Sequence, residues 1–89
     1  MNSVVLNLGE TRHIRLEVRN TEGEDFTISK CDYEFISPCN IVEAKGNADI
    51  LNHILDVVLT PQAKGEYDLK YIYYIADEIL VEHVRVSVI

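Results

Sequence analysis

Few residues in this chain of 89 could carry chemistry, and their spacing decides how far each can go. Cys31 and Cys39 have no second pair and no histidine beside them, which is not the spacing of a zinc site. Two cysteines make no disulfide framework. Pairing them would need a tight hairpin, so two free thiols are expected, one of them in the core. His13, His53 and His83 are far apart in sequence, and surface histidines are the simpler reading. A Cys–His nucleophile pair would need Cys31 beside His83 or His53, whereas the alternation around each puts Cys31 inside and His83 outside. The four glycines stand singly at positions 9, 23, 46 and 65, so no phosphate-cradling loop is present.

The carboxylates Glu17, Asp32, Glu34 and Asp68 fall on solvent-facing positions, and paired acids for hydrolysis would need a cleft that a small domain has little room to form. The polar turn Thr21 to Asp25 offers Glu22, Glu24 and Asp25 as weak calcium ligands but lacks the dense oxygen pattern of a dedicated site. The expectation is no catalytic residue, no metal and no cofactor.

Composition bounds the partners. Eight Lys and Arg against fifteen Asp and Glu give a net charge of −7, which repels phosphate backbones and anionic membrane surfaces, so neither nucleic acid nor membrane is expected as a partner. No run approaches the ~20 apolar residues that span a bilayer as a helix. Met1–Val5 has no basic region and no long apolar run, so no secretory signal is expected and synthesis in the cytoplasm is. One domain is expected over residues 1–89, with a core that buries about 60–65% of the unfolded surface.

The elements that must position these groups are strands. In Gly65–Ile75 the odd positions Tyr67, Leu69, Tyr71, Tyr73 and Ile75 are all large and apolar or aromatic, the period-two signature of a strand. The even positions begin polar (Glu66, Asp68, Lys70) and become apolar (Ile72, Tyr74). Thr11–Arg19 alternates Ile14, Leu16 and Val18 against His13, Arg15 and Glu17. Cys31, Tyr33 and Phe35 alternate against Asp32, Glu34 and Ile36, up to Ser37-Pro38, where proline cannot donate to a ladder. The final strand, Leu80–Ile89, turns Leu80, Val84, Val86 and Val88 one way and Val81, His83, Arg85 and Ser87 the other.

Short strands are also read at Val4–Leu8 and Ile41–Lys45, with a turn at Gly46-Asn47. Residues 47–59 fit both periods: Leu51, Ile54, Leu55 and Val58 suit a helix, and Leu55, Val57 and Leu59 a strand. The β-branched pair Val57-Val58 before Thr60-Pro61 favours a strand over residues 53–60. About seven short strands with turn chemistry between them predict an all-β antiparallel sandwich.

Ala63-Lys64-Gly65-Glu66-Tyr67-Asp68-Leu69 resembles the strand that carries the corner tyrosine of immunoglobulin-like domains, where a Tyr follows a Gly by two and precedes a core residue by two. Leu69 stands where such domains in antibodies have a cysteine, and the chain has no Trp. The resemblance implies an immunoglobulin-like sandwich and a Tyr67 hydroxyl bonded to a backbone carbonyl in the preceding turn. A narrower likeness runs through Leu6-Asn7-Leu8-Gly9-Glu10-Thr11, Phe26-Thr27-Ile28, Leu59-Thr60-Pro61, Gly65-Glu66-Tyr67 and Val84-Arg85-Val86-Ser87-Val88. That order is similar to small immunoglobulin-like domains of phage and prophage tail or baseplate proteins, such as the N-terminal domain of upper-baseplate proteins. It implies a non-enzymatic structural or protein-interaction role in such a particle. A cell-surface adhesion or carbohydrate-binding module is the alternative, and would show exposed aromatics in its loops.

One surface stands out for contact. Ile36, Ile72, Tyr74 and Val81 are expected on the outer face of the sheet that holds the Tyr67 strand, rimmed by Glu34, Lys70 and Arg85, which suits protein partners or self-association. The competing expectation is a bend or bulge near Ile72 that swaps faces and buries these side chains.

Overall fold

A computed structural model of the chain describes residues 2–19 and 25–89, in which the alternating runs become eight strands. They are β1 (Asn2–Leu6), β2 (Arg12–Glu17), β3 (Ile28–Ile36), β4 (Val42–Asn47), β5 (Asp49–Leu51), β6 (Ile54–Leu59), β7 (Gly65–Ile75) and β8 (Glu78–Val88). The weak calcium turn read around Glu22 and Glu24 lies outside the described residues.

The strands form two sheets, one of five in the order β1-β8-β7-β3-β4 and one of three in the order β2-β6-β5. β7 is central in the larger sheet, bonded along its length to β8 on one side and to β3 on the other. Its odd residues face inward: Tyr67, Leu69, Tyr71 and Tyr73 are all buried, alongside Cys31 and Phe35 from β3 and Val84, Val86 and Val88 from β8. The smaller sheet supplies Ile14, Leu16, Leu55, Val57 and Leu59 against them. Alternation works here because each sheet has one dry face and one wet face. Phe35 stacks on Tyr67 with ring centroids 4.3 Å apart, and the Tyr71 hydroxyl crosses the core to donate to the Ile14 carbonyl at 2.8 Å.

The chain is thus an all-β sandwich, with two departures from expectation. Among the described residues there are eight strands rather than about seven, because Asp49–Leu51 pairs with Ile54–Asp56 across a tight turn at Asn52, which has φ 57°. Asn tolerates this left-handed conformation better than most residues. A three-residue strand is too short for its own alternation to be read. The sandwich is also not wholly antiparallel: β1 runs parallel to β8, with Val4 beside Val86 and Leu6 beside Val88.

The middle of the chain resolves as strand. β6 replaces the helical reading of residues 47–59 and turns Leu55, Val57 and Leu59 into the core. Gly46-Asn47, expected as a turn, instead extends β4 opposite Tyr33 and Asp32. The change of direction falls on Ala48, which is buried and donates its N–H to the Cys31 carbonyl at 2.9 Å as the chain crosses between sheets.

At the far end, Ile75 pairs with Glu78 across the two-residue turn Ala76-Asp77, and Ala76 has φ 53°. A positive φ at the first central position is what a two-residue hairpin needs to match the twist of its strands.

The outer face of the five-stranded sheet as candidate functional site

The even residues of β7 stay on the outer face to the end of the strand, because its register with β8 runs unbroken from Gly65 to Ile75 and its register with β3 is regular through Ile72. The register shift in the pairing with β3 lies between Ile28 and Lys30, beyond Ile72. The face swap considered for Ile72 does not occur.

Cross-strand pairing places Ile72 directly beside Val81 and Tyr74 directly beside Ile79. Val81 is 46% exposed and Ile79 63%, while Ile72 and Tyr74 are half-buried under their neighbours. On the β3 side Ile72 meets Asp32 and Tyr74 meets Lys30. The Lys30 ammonium lies 5.5 Å from the Tyr74 ring centroid and 3.7 Å from Asp32, so cation–π and ionic contacts edge the apolar patch.

Ile36 is on the same face but not in the same patch. It pairs with Asp68, two rungs further along, and the Glu34–Lys70 ion pair at 3.8 Å stands between it and Ile72. Its neighbour on the other side is Val42 of β4. Of the four expected contact residues, then, three come together and the fourth sits at the opposite end. Ile79 joins them. It was missed because Ala76–Glu78 reads as the hairpin and Leu80 as the first strand residue, although Ile79 shares its parity with Val81.

The end nearer Ile36 is polar. His83 Nδ1 sits 3.0 and 3.1 Å from the two Asp68 oxygens, Arg85 Nε is 3.7 Å from Glu66, and the Ser87 hydroxyl donates to Glu66 at 2.8 Å. Ile36, Ser37, Pro38 and Asn40 close an open groove of about 420 Å³ over these groups. His83 and Arg85 each have their own carboxylate partner, Asp68 and Glu66.

The remaining groups singled out by type are placed apart. His13 is on β2, in the other sheet from His83, as expected. It lies 3.1 Å from Asp56, a carboxylate only 7% exposed, whose second oxygen is 3.6 Å from Arg15. His53 stacks on Phe26 with centroids 3.9 Å apart and contacts the Phe26 carbonyl at 2.9 Å. Cys31 is buried and Cys39 exposed, both as free thiols. Burial, and then the charge of Asp32, push the Cys31 thiol up to about 11, so it holds its proton at neutral pH. Among the described residues no three His, Cys, Asp or Glu side chains converge in a way that could hold a metal ion.

Under the same sheet lies a polar contact that no local pattern signals. The register shift between Phe35 and Ile36 leaves Glu43 as the extra residue of β4, a bulge. The Tyr67 hydroxyl donates to Glu43 Oε1 at 3.0 Å and accepts the Ala63 N–H at 3.1 Å. The expected link from Tyr67 back to the preceding turn is present, but it is made to an N–H and not to a carbonyl. The phenol's proton goes instead to the carboxylate, the stronger acceptor.

No protein-family model matches the chain, and no curated protein matches it either.

Proposed function

We propose that the chain is an immunoglobulin-like structural module whose role is protein–protein interaction through the outer face of the five-stranded sheet. Without β1 and β4, the order is β8-β7-β3 packed on β2-β6-β5. This supports the immunoglobulin-like reading, in which three strands of the B, E, D type face three of the C, F, G type. The hydrogen bond from Ala63 back to the Tyr67 hydroxyl supports it too. A tail or baseplate particle of phage type as the setting rests on the resemblance of the short motifs alone.

One observation carries the interaction role: Ile72, Tyr74, Ile79 and Val81 form a contiguous apolar patch at the hairpin end of β7 and β8, edged by Lys30, Asp32 and Lys70. An apolar centre with a charged rim is the anatomy of a protein contact. Apolar residues on a wet sheet face would otherwise lower solubility without adding to the core.

The test uses wild type and the double variant Tyr74→Lys with Val81→Lys as baits for co-purification from the cells that encode the protein, with a thermal melt of each. The expected result is a partner retained by the wild type and lost by the variant, at an unchanged melting temperature. A variant that unfolds, or that retains the same proteins as the wild type, overturns the reading.

A further inference from the structure

The two sheets have four edges, and three are protected against pairing with another chain. β5 is three residues long. β4 carries the Glu43 bulge and Lys45. β2 carries Arg12, His13, Arg15 and Glu17, charged or ionisable side chains along most of its length. Short length, bulges and charge are the usual protections of a sheet edge. β1, Asn2-Ser3-Val4-Val5-Leu6, has none of them: it is regular and without an ionisable side chain in a chain of net charge −7.

Ladder geometry shows which of its backbone groups are free. The Ile89 N–H donates to the Leu6 carbonyl and the Leu8 N–H to the Ile89 carbonyl. In a parallel ladder this turns the backbone groups of the even residues of β1 toward β8 and those of Ser3, Val5 and Asn7 outward. Asn7 is closed off within the chain: its N–H donates to Glu10 Oε1 at 2.6 Å and its carbonyl accepts the Glu10 N–H at 3.1 Å. The outward groups of Ser3 and Val5 have no partner among the described residues.

We propose that this edge pairs antiparallel with β1 of a second copy, about a two-fold axis at Val4. Ser3 of each copy then faces Val5 of the other, and each such pair exchanges two N–H···O bonds, so all the free groups are used at once. Val4 meets Val4 in the intervening non-hydrogen-bonded pair, on the inner side, where it already packs against the core. Two acidic copies approach along their one uncharged edge. The product is a ten-stranded sheet whose two outer faces run together, an isologous contact of the kind that closes on itself. It rests on reading the domain as an interaction module, and it leaves the Ile72–Val81 patch free.

Sedimentation of the full chain over a wide concentration range tests it. A monomer–dimer equilibrium is expected. Val5→Pro removes an outward N–H without touching the β8 ladder and should raise the dimer dissociation constant roughly thirtyfold, two bonds being lost across the axis. In a Cys39→Ser background, Val4→Cys should give a disulfide-linked dimer on mild oxidation. Val5→Cys should not, because its own counterpart lies beyond disulfide reach. If Val5→Pro fails to fold, the cysteine pair decides. A chain that stays monomeric throughout, or cross-links equally from both positions, overturns the proposal. So does a dimer abolished by Tyr74→Lys with Val81→Lys and unaffected by Val5→Pro, a result that keeps the interaction face and removes the edge.

Discussion

The Tyr67 hydroxyl donates to Glu43 at 3.0 Å, tying the centre of the five-stranded sheet to its edge strand across a gap of 24 residues. The other Glu43 oxygen is buried and has no hydrogen-bond partner among the described residues. The carboxylate therefore depends on Tyr67, and burial followed by Glu43 raises the phenol's pKa, so that it remains a donor.

Tyr67→Phe leaves both the Ala63 N–H and Glu43 without their shared partner. The expected cost is about 1–3 kcal/mol, the range for stranding buried polar groups. Denaturant melts of Tyr67→Phe, Glu43→Ala and the double variant check this. Strict additivity would show that the two side chains do not act as a unit.

Gly65 begins β7 with φ 126°, and a Cβ there would stand 2.7 Å from Pro38 Cγ. Gly65→Ala should cost on the order of 1–3 kcal/mol from the backbone alone, with the clash in addition. Adding Pro38→Ala should relieve the Cγ overlap, leaving the closer-than-usual 3.2 Å approach to Cβ and the backbone part. Chemical melts of the single and double variants separate the two contributions.

Val86 is 0% exposed and faces the core beside Tyr67, whereas Arg85, one residue before it, points outward to Glu66. Val86→Asp should unfold the domain, since an unpaired buried charge removes much of the few kcal/mol that hold a domain of this size. Arg85→Asp should fold with a small loss. Circular dichroism of both variants gives the answer, and equal behaviour would contradict the register.

Stability should fall at high pH. The Cys31 thiol moves from 9.0 to about 11 in the fold, and burial raises the phenols of Tyr71 and Tyr73 as well. For each, the folded state keeps a proton that the unfolded chain releases. The contribution is fully present below the unfolded value and is lost as pH rises through the folded one, for Cys31 between about 9 and about 11. Denaturant midpoints at several pH values should decline over that window. Cys31→Ala should flatten part of the decline. A thiol reagent at neutral pH should label Cys39 in the native protein and reach Cys31 only after unfolding.

The sequence by itself determined the longer alternating strands and their inward faces. Tyr67 to Tyr73, Val84 to Val88 and Ile14 to Val18 alternate because a strand between core and solvent imposes a period of two on its own residues, and that period is local. Cys31 inside, His83 outside, and Ile72 and Val81 both on an outer face follow from the same rule.

Beyond the hairpin that joins β7 to β8, tertiary structure alone decided which strands meet and how their edges are finished. Nothing in Asn2–Leu6 states that it lies parallel to Glu78–Val88, because a hydrogen-bonding edge is indifferent to the sequence distance of its partner. The bulge that leaves Glu43 under Tyr67 exists only once β3 and β4 are in register. The separation of Ile36 from Ile72 follows likewise from cross-strand register, which puts the Glu34–Lys70 pair between them.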